Sequence, residues 1–199
     1  MPQARVLTDR DVKRVLTYIA TKRTAARDRA LLLTGLFSGM RAKELSALRI
    51  SDVLGSDGEV RDEIHLKAEM TKGSRGRSVL LSKKARDEIK YYLCERFKTK
   101  DLHPILLTDT SRALFSNQKN SIRGFTANGL SKHLGTLFAE VGIEGASAHS
   151  LRRSFISKIA SYGTSIRVIQ KLSGHRDIKT TALYIEVSDS MLRKAVELA

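Results

Sequence analysis

The feature that most constrains this fold is a change of hydrophobic period. Over most of the chain apolar residues recur every three to four positions, but the stretch 58–81 changes character: residues 63–68 alternate polar and apolar, and residues 77–81 are strand-like. The first spacing builds one face of a helix and the second builds one face of a strand. The expected fold is therefore α+β and mainly α-helical, with a small antiparallel β-sheet near residues 50–81.

The individual elements can be read in order. Thr8 followed by Asp11 is close to a capping box, and behind it Val12, Val15, Leu16 and Ile19 fall on one helical face. Residues 25–37 hold Ala30-Leu31-Leu32-Leu33 and are apolar nearly all round, which predicts a buried helix. Ser38-Gly39-Met40 breaks it, and a short helix follows from about Arg41 to Leu48. Glu63-Ile64-His65-Leu66-Lys67-Ala68 and Arg77-Ser78-Val79-Leu80-Leu81 read as two strands of a hairpin. Its tip is Thr71-Lys72-Gly73-Ser74-Arg75-Gly76, basic and glycine-containing. Further helices are marked by Ala85, Ile89, Tyr92 and Leu93, by Leu130, Leu134, Leu137, Phe138 and Val141, and by Leu151, Phe155 and Ile159. A short one carries Ile166, Ile169 and Leu172, and the last runs from about Asp189 to Leu198. Residues 99–126 look irregular. The length of 199 residues suits one core, and a single domain over 1–199 is expected.

Charge narrows the partners. Lys and Arg number 36 against 21 Asp and Glu, a net charge of +15. Such an excess favours polyanions, with nucleic acid first and an anionic membrane surface second. Cys94 is the single cysteine, so it has no internal disulfide partner, and its place in an apolar helix reads as a core thiol. The N-terminus lacks a signal-peptide apolar run, and no apolar stretch reaches the roughly 18 residues of a membrane span. A cytoplasmic, nucleoid-associated protein is expected.

Two segments carry chemistry-bearing residues at fixed spacing. One is Gly35-Leu36-Phe37-Ser38-Gly39-Met40-Arg41-Ala42-Lys43-Glu44-Leu45. The other runs from His149-Ser150-Leu151-Arg152-Arg153 through Leu172-Ser173-Gly174-His175 to Tyr184. Together with the hairpin tip Lys72-Gly73-Ser74-Arg75-Gly76-Arg77 they resemble the tyrosine recombinases: phage integrases, chromosome-dimer resolution recombinases and fimbrial-switch invertases. The first segment matches the box of the first catalytic arginine. The second matches the H-x-x-R box, the "LGH" box and the nucleophilic tyrosine nine residues after its histidine. Any one box is a weak signal; six residue types in the right order are a strong one.

The resemblance implies catalytic roles for Arg41, Lys72, His149, Arg152, His175 and Tyr184. Two arginines suit a phosphodiester because they clamp its non-bridging oxygens where charge develops. Tyr184 would be the nucleophile, forming a 3′-phosphotyrosyl link. His149 would be the base and Lys72 the acid for the leaving 5′ oxygen. His175 would donate to the phosphate and help to place Tyr184. Tyr184 lies on a short helix after a glycine-containing turn, so displacement from the site without DNA is expected. Glu44 reads either as a partner that orients an arginine or as a surface pair. Lys43, Arg75, Arg77 and Arg153 are expected to contact DNA. His65, His103 and His133 match no box and read as structural or exposed; Tyr162, just before a helix-ending glycine, reads as packing.

The same resemblance implies double-stranded DNA as partner, a homo-oligomer on DNA (a tetramer in the synaptic complex), and room for an accessory DNA-bending protein. In the family the segment after the tyrosine packs on a neighbouring protomer, a role open here to Met191, Leu192, Val196 and Leu198. No metal, cofactor or ATP is implied, because each step exchanges one phosphate ester for another. Most relatives carry a helical core-binding domain ahead of the catalytic one, and this sequence begins with the catalytic domain's first helix. It is either a single-domain member or a fragment. Ser173, where the "LGH" box usually has Leu, is a local departure. Two other readings compete with the recombinase. One is a non-catalytic DNA-binding protein, in which Ser165 to Arg176 would form part of a helix-turn-helix. The other is a type IB topoisomerase-like enzyme.

Overall fold

The computed structural model describes residues 4–71, 75–117, 122–185 and 189–197. Its elements are α1 (Asp9–Ala20), α2 (Ala25–Ser38), α3 (Ala42–Ala47), α4 (Ile50–Val53), β1 (Glu63–Leu66), β2 (Arg77–Leu80), α5 (Lys83–Phe97), α6 (His103–Leu106), α7 (Ala127–Glu140), α8 (Ala148–Ser161), α9 (Ile166–Ser173), α10 (Ile178–Ala182) and α11 (Asp189–Val196). The strands pair antiparallel, with Glu63 opposite Leu80 and Leu66 opposite Arg77. A 3₁₀ turn, Ala68–Met70, follows β1 and leads towards the tip. Lys72, Gly73 and Ser74 lie outside the described residues.

The local signals are realised as the chain's chemistry requires. Thr8 Oγ1 accepts from the Asp11 amide, and the Asp11 carboxylate accepts from the Thr8 amide, so two backbone donors at the start of α1 are satisfied. α2 is the central helix: it packs against α1, α5 and α8, and Ala30, Leu31 and Leu32 are fully buried. Gly35 permits a close approach, since a Cβ there would stand 2.7 Å from Leu151 Cδ1 of α8. Gly39 ends α2 at φ 63°, the left-handed cap that glycine adopts without penalty. A Cβ at Gly39 would meet the Phe155 ring at 2.4 Å.

α2 carries two charges into the core, Arg27 and Asp28. Asp28 is fully buried and its Oδ1 accepts from Arg27 Nε (2.9 Å) and Nη2 (2.8 Å) and lies 2.8 Å from His133 Nε2 on α7. Thr24 Oγ1 donates to Oδ2 at 2.7 Å, and Arg27 Nη1 donates to the Ser116 carbonyl. Buried charges persist only when paired in this way. Burial raises the Asp28 pKa, but the His133 hydrogen bond and the Arg27 charge outweigh it and hold the carboxyl below its ordinary value. His133 is thus structural, as the sequence suggested.

Most of the apolar side chains form one core, and a small second cluster of Ile156, Ala160 and Ile169 sits between α8 and α9. Phe155, Ile159, Tyr184 and Ile185 pack against that second cluster. Phe155 and Ile159 are half-buried in the satellite, because α8 turns Leu151 to one cluster and Ile156 to the other. Cys94 is half-buried and packs against the main core, and burial raises its thiol pKa. One expectation changes: Tyr162 is 75% exposed instead of packed, since it caps α8 beyond the last buried residue, Ala160. Residues 99–126 hold the short α6 and an isolated bridge between Arg49 and Ala113. Among the described residues no helix is long and apolar enough to cross a membrane.

Candidate active site

Helix α9 organises the site through its C-terminal end. The last carbonyls of a helix have no partner within it, and the aligned peptide dipoles make that end negative. Here three consecutive carbonyls each receive a different arginine. Arg77 Nη1 donates to Leu172 O at 3.1 Å, Arg152 Nη2 to Ser173 O at 2.6 Å, and Arg41 Nη2 to Gly174 O at 3.3 Å. The arginines come from β2, from α8 and from the turn before α3. Residues up to 133 positions apart thus meet on one helix end.

Gly174 makes this possible. It caps α9 at φ 64°, and a Cβ there would stand 2.6 Å from Arg77 Cδ. The chain reverses through it, and the His175 amide returns to Gln170 O at 3.2 Å, the 6→1 bond of a Schellman motif. That bond fixes the His175 backbone beside the three guanidiniums.

Glu44 is the counter-charge. It is fully buried, and its two carboxylate oxygens accept four hydrogen bonds: from the Arg41 amide (2.7 Å), Arg41 Nη1 (3.1 Å), Arg77 Nε (3.1 Å) and Arg77 Nη2 (2.9 Å). Burial would raise its pKa, but the hydrogen bond and charge of Arg77, followed by those of Arg41, hold it low. Of its two sequence readings, the surface pair is excluded and the orienting partner stands. Arg152 is 4% exposed, with Nη1 on Gly39 O at 2.8 Å. Burial, then the neighbouring Arg41 charge, push its pKa down to about 9, still charged at neutral pH. One carboxylate faces three guanidiniums, so the site carries excess positive charge that a bound anion would relieve.

His175 is 9% exposed, and its Nδ1 lies 3.0 Å from the fully buried Thr181 Oγ1. Burial, then Arg152, Arg41 and Arg77, push its pKa down to about 4. The Tyr184 ring stacks on it, with centroids 5.5 Å apart and planes 20° from parallel. Tyr184 is held from its backbone too: its amide donates to Thr181 O at 3.0 Å and its carbonyl accepts from Ser157 Oγ at 3.2 Å. The displacement expected without DNA is therefore not seen.

A pH prediction follows from His175. Its pKa is about 4 in the folded chain, below the 6.5 of an unperturbed histidine. The stability gained by keeping it neutral is full above about pH 6.5 and is lost as pH falls towards 4, up to about 3 kcal/mol. Urea unfolding from pH 7 to pH 4 should therefore show a steeper loss in the wild type than in His175→Gln. Equal slopes would contradict the assignment.

The remaining candidates sort as follows. His149 is exposed in the first turn of α8, and none of the hydrogen bonds of the cluster described above runs to it. Lys72 lies outside the described residues; next to it, Thr71 O accepts from Lys43 Nζ at 2.8 Å and Thr71 Oγ1 donates to Arg75 O at 2.6 Å. Arg75 and Lys43 are exposed. Arg153 Nη1 donates to Ala4 O at 2.8 Å. Arg77 reads from sequence as a DNA contact, yet its Nε, Nη1 and Nη2 all donate to protein groups. The sequence reading missed this role, and it also missed Thr181 and Ser157, which support the histidine and the tyrosine. The available signal was Glu44, since a carboxylate in so basic a site needs cationic partners.

A family model described as "Phage integrase family" matches residues 5–191. The chain belongs to the phage integrase family, the tyrosine recombinases. It is 32% identical over 193 residues to tyrosine recombinase XerA of Pyrococcus horikoshii, covering 97% of this chain and 60% of that protein. It is 31% identical over 199 residues to tyrosine recombinase XerD of Rickettsia bellii, covering 96% and 62% respectively. This tyrosine recombinase chain thus spans about three fifths of the length of those relatives. In structure it is similar to an XerA recombinase crystal structure, with a TM-score of 0.73 at 24% identity, covering 100% of this chain and 66% of that one. It is also similar to XerH bound to a palindromic difH substrate, with a TM-score of 0.68 at 26% identity over 96% of this chain and 51% of that one. The mainly helical fold with one small antiparallel sheet is the recombinase catalytic-domain fold.

Proposed function

We propose that this chain is the catalytic domain of a site-specific DNA recombinase that cuts and rejoins strands through Tyr184. The observation that carries the reading is the seating of the Tyr184 ring on His175, beside three guanidiniums gathered on one helix end.

The chemistry runs in two balanced exchanges. Tyr184 Oη attacks the scissile phosphorus, forming a Tyr–O–P bond while the P–O5′ bond breaks. His149, one turn before Arg152 on α8, takes the phenol proton, and Lys72 gives a proton to the departing 5′ oxygen. Arg41 and Arg152 hold the non-bridging oxygens with charge-assisted hydrogen bonds as charge grows there. His175 is neutral at pH 7, and a Thr181 hydroxyl donating into its Nδ1 leaves Nε2–H free to donate to the phosphate. A 5′ hydroxyl of the partner strand then attacks and gives its proton to Lys72; the new P–O5′ bond forms as the Tyr–O–P bond breaks, and His149 returns a proton to the Tyr184 oxygen. No cofactor or metal enters these steps.

Double-stranded DNA is the partner that the charge of +15 favours, and XerH has been solved on its difH substrate. The exposure of Lys43 and Arg75 supports reading them as phosphate contacts. Recombination requires several copies on DNA. Leu192 and Val196 on α11 are exposed and available to a neighbouring protomer. Leu198 and the side chain of Met191 lie outside the described residues.

The test is incubation with supercoiled DNA from the protein's own genomic neighbourhood, quenched with detergent. Protein-linked nicks are expected. Nicks without linked protein, or binding alone, would overturn the reading. Affinity for DNA should also fall about 10³-fold or more between 50 and 200 mM salt, as clamping of several phosphates requires. A flat response in a titration by fluorescence anisotropy would contradict it.

A further inference from the structure

We propose that Arg77 is a positioning residue for the reaction and not a DNA contact: it ties the β1–β2 hairpin to the arginine pair and to His175. The inference rests on the recombinase reading and adds to it a residue that acts on the active site through others.

The geometry is specific. Arg77 opens β2, five positions after Lys72 in the sequence, so it fixes the start of that strand. Its Nε and Nη2 grip both oxygens of Glu44, the carboxylate that also holds Arg41 by backbone and side chain. Its Nη1 holds Leu172 O, three residues before His175, and its Cδ lies against the Gly174 backbone. The side chain is 13% exposed and Glu44 is fully buried. Nε, Nη1 and Nη2 of Arg77 all donate to protein acceptors, whereas the hydrogen bonds of Arg41 and Arg152 described above run from their Nη atoms. The rigid planar fork is what allows one side chain to meet a carboxylate on one edge and a carbonyl on the other; a lysine has no such geometry.

The consequence is a chain of support. Removing Arg77 leaves Glu44 with Arg41 alone and opens a gap under the Gly174 turn. Arg41 and His175 then lose their alignment. Misplacement of reacting groups by about 1 Å is enough to cost roughly 10²-fold in rate.

The test compares wild type, Arg77→Lys, Arg77→Met and the pair Arg77→Met with Glu44→Gln. Each is measured for DNA affinity against salt, for single-turnover adduct formation at saturating DNA, and for the His175 ring signals by NMR without DNA. The expected result is about 10²-fold slower adduct formation in Arg77→Met, with affinity within about twofold and an unchanged salt slope. The pair variant should recover about tenfold, because the buried carboxylate that has lost two of its four donors is gone. In Arg77→Lys the His175 signals should shift although the charge is kept.

Weaker binding with a salt slope reduced by about one, and an unchanged rate at saturation, would overturn the proposal in favour of a phosphate contact. Unfolding of both Arg77→Lys and Arg77→Met would overturn it in favour of a purely structural role. If the wild type itself forms no adduct, the recombinase reading fails. The His175 signals then still decide whether Arg77 positions that ring, and an unmoved signal in Arg77→Lys overturns it.

Discussion

Replacing Tyr184 by Phe should abolish the covalent protein–DNA adduct while leaving DNA affinity within about twofold. The phenol oxygen is the only atom lost, and it is the atom that would form the ester. The ring itself has other work: it stacks on His175 and packs on the Ile156, Ala160 and Ile169 cluster. Phenylalanine keeps both contacts, so the fold and the arginine cluster should persist. The loss in strand cleavage is expected to be at least roughly 10⁴-fold, as for removal of other enzymes' nucleophiles. Gel quantification of the adduct, beside anisotropy for binding, checks both halves. An adduct that survives in Tyr184→Phe would show that another residue attacks.

Arg152 should give the second-largest effect, and there stability and activity fall together. It is buried, and it bridges Gly39 O at the end of α2 to Ser173 O at the end of α9. Lysine keeps the charge but is a point donor and cannot span the two carbonyls as the fork does. Arg152→Lys should lose about 3 kcal/mol of stability, from two charge-assisted hydrogen bonds of which one acceptor is left unmet. Cleavage should drop by about 10² to 10³, the usual cost of one donor to developing charge. Urea unfolding and single-turnover cleavage measure the two losses separately. A variant with full stability and slow cleavage would mean that the bridge is incidental; one with full cleavage would remove Arg152 from the site.

Much of this was legible in the sequence, for physical reasons that differ by element. The capping box at Thr8 and Asp11 and the all-round apolar α2 depend on local contacts and burial, and both are encoded within a few residues. The meeting of Arg41, Arg152, His175 and Tyr184 was read from spacing and family resemblance, and the structure gathers those four. What spacing did not carry is long-range pairing. Arg77 looked like one more charge on a basic tip, because nothing within its own segment shows that its partners are Glu44 and Leu172 O, 33 and 95 positions away. Arg27 and Asp28 were equally silent, although two charges inside an apolar helix required buried partners. Tyr162 was misread because a residue before a helix-ending glycine can face either way, and here it lies beyond Ala160, the last buried residue of α8.

The central claim is tested most directly by mapping the covalent bond. The adduct is formed on supercoiled DNA from the protein's own neighbourhood, digested with nuclease and trypsin, and analysed by mass spectrometry. Cleavage after Lys179 and Arg193 gives a peptide of residues 180–193, in which Tyr184 is the sole tyrosine. The account predicts a nucleotide attached through its 3′ phosphate to Tyr184. A nucleotide on any other residue, or DNA cut with no peptide attached, would contradict it.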